Sequence, residues 1–510
     1  LKFKVDTSRN FLLLIDCTQN EYEQLEYSFT KIVANFFIIR KKVPNWDGKV
    51  SFFDTKYNRI PIGLYNELQN LCKEYNFNLE IEGVDLIYDK NFNEIEFNEW
   101  ADIYFEESDI TPRDYQLEAC LRLLKFKKCT TEISTSGGKT LIAFMIFKYL
   151  LDKKIIKKML YVVPNVGLVS QTEEKFYEYE DKCNKKPNWK SICVYSGAKK
   201  EEYEPNIIFG TYQSLTKKDV EFFQDIDCVI IDESHHAKAG SFKKILIACY
   251  NSKYKLGLTG TLPEKGSLDS FTIQSYIGPC VYTIRSSDLI AAGNATPINV
   301  VGIEMDYLEK DMKKKLYDLR NVSVDEKDGV KLLNLEKDIL RDNPKRLKYV
   351  CETIAKSTKN SLVLFSDIKN DYGRKVFNWL KENTDKTVYY IDGSTKNENR
   401  EYYKKQMEEN ENILIIASMG VFGEGIDILH LYNIFIIESF KSQFIIRQAL
   451  GRGMRLLEGK EKVTIIDFID NYEYGTNKYQ KNNYLMRHAA ERQRIYKDKG
   501  FPYRRYKCIL

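Results

Sequence analysis

The chain has only four histidines, and among its eleven cysteines no C-x-x-C pair occurs. A zinc ribbon or finger needs such pairs at set spacing, so neither is expected. Thiols scattered this way suit buried small hydrophobes in a reducing, intracellular compartment better than a disulfide framework. Long apolar runs are lacking too, and nothing approaches the roughly 18 residues of a membrane-spanning helix. The opening Leu1-Lys2-Phe3-Lys4 has no long apolar core and no small-residue cleavage pattern, so no secretory signal is expected. Internal repeats and low-complexity tracts are also missing.

What is present describes an ordinary folded protein: 43% apolar and 30% charged residues over 510 positions. That length exceeds one hydrophobic core and, at roughly one domain per 100–200 residues, suggests about three. The formal charge of +5 hides an asymmetry: residues 1–110 sum to −8 and the remainder to +13. From Asn471 to Leu510, ten Lys/Arg face three Asp/Glu with seven tyrosines interleaved. Such a composition suits phosphate contacts and base stacking, and equally a solvated helix with a tail.

From about residue 110 onward, short β-rich runs alternate with amphipathic stretches, the pattern of parallel sheets flanked by helices. One set comprises Met159–Val163, Asn206–Phe209, Cys228–Ile231 and Lys255–Leu258. A second comprises Ser361–Phe365, Thr387–Ile391, Ile413–Ala417, Ile434–Ile437 and Val463–Ile466. Two α/β domains in tandem follow. Between them, residues 306–345 are highly charged with apolar residues at helical spacing, which predicts a helical linker or insertion. The first hundred residues are richer in aromatics and turns, including Pro44-Asn45-Trp46-Asp47-Gly48, and read as a small α+β module. Within it Arg40, Lys41, Lys42, Lys49 and Arg59 form a basic cluster in acidic surroundings.

Three separated segments carry chemistry. In Ser134-Thr135-Ser136-Gly137-Gly138-Lys139-Thr140, small residues precede Gly-Lys-Thr and a long apolar helix. Backbone N–H groups of such a turn cradle phosphate, Lys139 reaches the terminal phosphates, and the Thr140 hydroxyl ligates Mg²⁺. Ile133 stands where the strict phosphate-loop pattern wants glycine. In Asp227–His235, a core strand delivers Asp232 to hold Mg²⁺ and Glu233 to polarise the attacking water, with His235 beside them. A lone Asp-Glu after a strand is more often a solvated turn; 93 residues after a phosphate loop it is not ordinary. In Gln448–Arg455, Arg452 and Arg455 lie three apart on one helical face, able to clamp a γ-phosphate from a second domain.

In this order the three segments resemble the superfamily 2 helicases and translocases of the DExH type, over residues 110 to about 470. Arg113-Asp114-Tyr115-Gln116 resembles the family's adenine-reading segment, which implies Arg113 and Gln116 as nucleotide contacts beside Thr135, Ser136, Gly137 and Gly138. The stretches around Pro164 to Gln171, Thr211, Gly393 and Ser418 are similar to its nucleic-acid motifs. Thr259-Gly260-Thr261 looks like its coupling motif, and Gly423–Asp427 like the segment that gives Gly425 to the phosphates and Asp427 to the ribose. The N-terminal turns, with the Asn483–Tyr496 stretch, are similar to the UvsW-type phage recombination helicases. That implies Arg40, Lys41 and Lys42 as further nucleic-acid contacts.

The resemblance implies two tandem RecA-like parallel-sheet domains preceded by a small α+β domain and followed by a short helical extension. The expected divisions are 1–100, 101–300, 301–345 (linker), 346–470 and 471–510. It also implies ATP and Mg²⁺ as cofactors, branched or forked DNA or an RNA–DNA hybrid as partner, a monomer without membrane attachment, and a cytoplasmic site, in the host if phage-encoded. Rival readings are an RNA helicase or RNA-sensing ATPase, a restriction-system motor, and an ATP-switched annealing protein that does not turn over.

Overall fold

A computed structural model describes residues 1–6, 10–33, 46–197, 203–235, 240–322, 326–366, 371–419, 428–440, 453–454, 456–474 and 483–510. The chain forms two compact units, Leu1–Ile284 and Arg285–Leu510. No helix among the described residues is long and apolar enough to cross a membrane.

The first unit opens with a small sheet of β1 (Lys2–Asp6), β2 (Phe11–Asp16), β5 (Arg59–Pro61) and β6 (Glu80–Glu82), ordered β5-β2-β1-β6, beside a ribbon of β3 (Thr30–Ile32) and β4 (Lys49–Ser51). Helix Gln19–Ser28 starts where Thr18 and Glu21 close a capping box. Phe3, Leu12, Leu25, Phe29, Phe53 and Leu68 form the module's core together with Phe271, which lies on the helix Leu268–Tyr276. Phe29 and Phe52 bring their rings 6.2 and 5.5 Å from that of Phe271. Gly63 permits the contact, because a Cβ there would lie 1.8 Å from the Gln274 carbonyl oxygen.

The larger part of this unit is one parallel sheet, ordered β13-β7-β12-β11-β8-β10-β9. Its strands are β7 (Lys128–Ile133), β8 (Met159–Val163), β9 (Ser191–Val194), β10 (Ile207–Thr211), β11 (Cys228–Asp232), β12 (Tyr254–Thr259) and β13 (Cys280–Ile284). Alternate residues feed two cores: Met159, Tyr161, Val163, Phe209 and Ile230 on one face, Leu160, Val162, Ile208, Val229 and Ile231 on the other. The helix Lys139–Asp152 is buried at every position from Leu141 to Leu150. Its outer side is roofed by the helix Glu94–Tyr104, whose Phe97 and Trp100 lie 5.1 and 5.4 Å from Tyr149.

The second unit is another parallel sheet, ordered β16-β17-β15-β18-β19-β14-β20. It contains β14 (Ile298–Asp306), β15 (Ser361–Phe365), β16 (Thr387–Ile391), β17 (Ile413–Ser418), β18 (Asn433–Ile436), β19 (Val463–Asn471) and β20 (Tyr503–Ile509). All nine runs read from the sequence are strands. Five further strands are β7, β9, β13, β14 and β20; β7, β13 and β20 carry lysine, threonine or arginine, β14 is interrupted by Asn299, Gly302 and Glu304, and β9 is only four residues long. The charged stretch before β15 is helical at Lys310–Val322 and Glu326–Asp342.

After β19 the chain forms the helix Tyr484–Asp498 and then adds β20 beside β14. Part of its basic and aromatic content is spent internally. Arg492 is buried and grips Asp467 through bonds of 2.8–3.1 Å, while Tyr496 donates to the same carboxylate at 3.1 Å. Nearby, Arg346 is fully buried with Nε 2.6 Å and Nη2 3.0 Å from Asp470, and it also meets Tyr372.

Candidate active site

Parallel strands end together, and ligands of open α/β sheets collect beyond their C-terminal ends. Here those ends gather most of the first-unit candidates: Ser134–Gly138 follow β7, Pro164 follows β8, Thr211 closes β10, Asp232 closes β11 and Thr259 closes β12.

The loop after β7 turns through two left-handed residues, Ser136 (φ +71°) and Gly138 (φ +79°), before the helix begins at Lys139. Gly138 is required for more than its φ. A Cβ there would stand 2.2 Å from Gln116 Nε2, which crosses the loop to donate to the Gly137 carbonyl at 3.1 Å. Gln116 Oε1 in turn accepts from the Arg113 backbone N–H at 2.9 Å, so the adenine-reading segment and the phosphate loop are tied together. The long apolar helix supplies free N–H groups and a positive dipole end for an anion. Thr140 stands in its first turn.

Lys139 Nζ lies 3.5 Å from the Ile133 carbonyl and 3.8 Å from Glu233 Oε1. Both contacts are long, so the ammonium is positioned without being saturated. Glu233 adopts φ +49° directly after the strand, and its N–H donates to Asp232 Oδ1 at 2.9 Å. Burial first, and then the charge of Glu233, push the Asp232 carboxyl up to about 6, opposed by Lys139. A cation at this carboxylate removes that conflict. Asp232 and Thr140 offer hard oxygens, the donor chemistry Mg²⁺ takes, and two protein ligands leave room for water and phosphate.

His235 Nδ1 stands 2.9 Å from Thr259 Oγ1 and 3.3 Å from Glu233 Oε2. Thr259 Oγ1 also donates to the Thr261 carbonyl at 2.9 Å and lies 3.5 Å from Glu233 Oε2. The acidic motif is thus hydrogen-bonded to the loop after β12. That loop is itself anchored, the Leu262 N–H donating to Glu132 Oε1 at 3.3 Å. Gly260 brings its backbone close to Thr135 and Lys139: a Cβ there would stand 3.5 and 3.6 Å from Thr135 Oγ1 and Lys139 Nζ.

The nucleic-acid candidates are distributed less tightly. The Pro164 carbonyl accepts from Gln213 Nε2 at 3.3 Å, Gln171 lies on the helix Val166–Lys182, and Thr211 is buried. In the second unit, Gly393 follows β16 in an open turn and Ser418 is buried at the end of β17. Arg40, Lys41, Lys42, Gly425, Asp427, Arg452 and Arg455 lie outside the described residues. Trp46 closes a turn, its indole N–H donating to the Lys49 carbonyl at 3.1 Å. Arg59 pairs with Asp54 at 2.9 Å and stacks over Phe11.

Sequence reasoning passed over Glu132 and Tyr161. Neither belongs to a motif, and their position under the site emerges only once β7 and β8 are placed in register with β12 and β11.

Two family models match the chain: "Type III restriction enzyme, res subunit" over residues 109–264, and "Helicase conserved C-terminal domain" over residues 345–456. The ATP-dependent DNA helicase uvsW of Enterobacteria phage T4 is 27% identical over 509 residues, covering 96% of each chain. The DNA 3'-5' translocase XPB2 of Sulfurisphaera tokodaii is 25% identical over 72% of this chain and 83% of its own. Among solved structures, the ATP-dependent Type ISP restriction-modification enzyme LlaBIII bound to DNA shares the fold. Its TM-score is 0.53 at 18% identity, over 79% of this chain and 32% of that one.

Proposed function

This chain belongs to the superfamily 2 helicases and is an ATP-hydrolysing enzyme, and on that premise we propose that it remodels branched DNA. The reading covers branch migration, fork regression and R-loop unwinding in recombination, repair and replication. The observation that carries the ATP chemistry is the meeting of Lys139, Glu233, His235 and Thr259 at the ends of adjacent strands. Near full-length similarity to the phage DNA helicase, N-terminal module included, supports the DNA substrate.

In this reading the loop Thr135–Gly138 and the helix N-terminus take the phosphates, while Lys139 leaves Glu233 for the γ-phosphate. Arg113 and Gln116 read the adenine. Thr140 and Asp232 hold Mg²⁺, which supplies charge neutralisation at the phosphates. Glu233 orients the attacking water, and no covalent intermediate is required. His235 and Thr259 link the carboxylate to the loop after β12, so phosphate release is felt at Thr261. Arg452 and Arg455 complete the γ-phosphate clamp, and Gly425 and Asp427 the nucleotide contacts. Pro164, Gln171, Thr211, Gly393 and Ser418 track the nucleic-acid backbone, with Arg40, Lys41 and Lys42 as an N-terminal grip.

The test is ATP-dependent remodelling of a three-way fork, a four-way junction and an R-loop, with linear duplex DNA and RNA duplex of equal length as controls. Turnover and strand exchange on the branched substrates are expected. Selective action on the RNA duplex overturns the substrate assignment.

A further inference from the structure

Tyr161 belongs to none of the motifs above, yet it lies directly beneath the acidic end of β11. It sits on β8 in register with Ile230 of β11. Ile230 and Asp232 are two apart on one strand, so Tyr161 and Asp232 leave the same face of the sheet. Along the strand the carboxylate stands one row higher, about 6.6 Å away, within reach of a phenol. The ring is wedged between Phe176 and Phe209, at 5.9 and 5.8 Å, so its direction is set by packing.

The hydroxyl is fully buried, and no group among the described residues meets it in full hydrogen-bond geometry, the Asp232 side chain being the hydrogen-bonding group near it. Burial together with the nearby Asp232 charge holds its proton firmly, leaving it a donor. An unsatisfied buried hydroxyl costs stability, and a phenylalanine would fill this space without that cost. The charged group beside it is Asp232, whose Oδ1 accepts from the Glu233 backbone.

We infer that Tyr161 is a positioning residue of the ATP site, its hydroxyl donating to the Asp232 carboxylate when that carboxylate holds a divalent cation with bound nucleotide. The inference rests on the ATPase reading above. One oxygen of Asp232 is then steadied from below and the other is presented to the cation shell.

Full-length Tyr161→Phe and Tyr161→Met variants test this, with Mn²⁺ binding in the presence of ADP read by electron paramagnetic resonance. Expected is a roughly five- to tenfold weaker Mn²⁺ affinity, about the net scale of one hydrogen bond. For Tyr161→Phe, the nucleotide-free melting temperature holds or rises by about 1–3 °C. A purely structural hydroxyl gives the opposite pair, a lower melting temperature with Mn²⁺ affinity unchanged. Unchanged Mn²⁺ affinity in either folded variant overturns the inference. A Lys139→Ala control separates the two claims: if its ATPase persists, the ATPase reading itself has failed.

Discussion

The two units treat charge in opposite ways. In the first, Lys139 and Glu233 stand 3.8 Å apart and Glu233 and His235 3.3 Å, with His235 also 2.9 Å from Thr259 Oγ1. In the second, Arg346 and Arg492 are buried and locked to Asp470 and Asp467, with bonds as short as 2.6 and 2.8 Å. The long Lys139–Glu233 contact leaves the ammonium able to exchange that carboxylate for a ligand. The pairs of the second unit are staples that fasten the helices Pro344–Ala355 and Tyr484–Asp498 to β19. A charge's role is therefore read from how closely its partner holds it, 3.8 Å at Lys139 against 2.6 Å at Arg346.

The sharpest way to break this contrast is substitution on each side of it. Glu233→Gln should lower nucleic-acid-stimulated ATP turnover about 10²–10⁴-fold, the usual share of a positioned base, while melting is nearly unchanged. Steady-state turnover with a parallel melt measures both. Arg346→Met should do the reverse, destabilising the second unit by about 3–5 kcal/mol because Asp470 is left buried and unpaired. Denaturant unfolding reports it, and nucleotide binding to the Lys139 loop should survive at concentrations where the protein remains folded.

Smaller effects come from protonation. With Asp232 near 6, protons compete with the cation below that pH. Mg²⁺ affinity in the presence of ADP should be flat from pH 7 to 8 and fall roughly tenfold per unit below about 6. Asp232→Asn should abolish the dependence together with the affinity.

Away from the site, Lys128 is buried and pushed down to about 7 by burial and by Lys255. The unfolded chain keeps this proton to a higher pH than the folded one, so stability should rise between about pH 7 and 10 and level off below 7. Lys128→Met should flatten part of that slope in melts from pH 7 to 9. Smallest of all is Arg494, exposed and paired with Asp498 at 3.9 Å. Its replacement by alanine should change stability by less than about 0.5 kcal/mol, in contrast to Arg492 two residues away.

That last pair shows where the sequence stops being informative. Arg492 and Arg494 share one basic stretch, and composition treats them alike. Only tertiary contact makes one a buried staple and the other a solvated surface group. Runs such as Cys228–Ile231 and Ile413–Ala417 were legible as strands because both faces of a parallel sheet are buried and the run is apolar throughout. β14 and β20 were not, since edge and near-edge strands tolerate Glu304, Arg504 and Arg505. In the site, Lys139, Asp232, Glu233 and His235 were legible because spacing and neighbours imply their chemistry. Gln116's hold on Gly137 was not, because only the placed Gly138 leaves room for it. Tyr161 was not either, its relation to Asp232 depending on the register of β8 against β11.

The central claim is that this charge cluster powers the remodelling of branched DNA. Conversion of a synthetic four-way junction at saturating ATP and Mg²⁺, by the wild-type chain and by Glu233→Gln, tests it most directly. The account predicts ATP-dependent strand exchange by the wild type, and a Glu233→Gln protein that binds the junction without converting it. Conversion by Glu233→Gln at the wild-type rate, or a wild type that leaves the junction intact while unwinding RNA duplex, would contradict it.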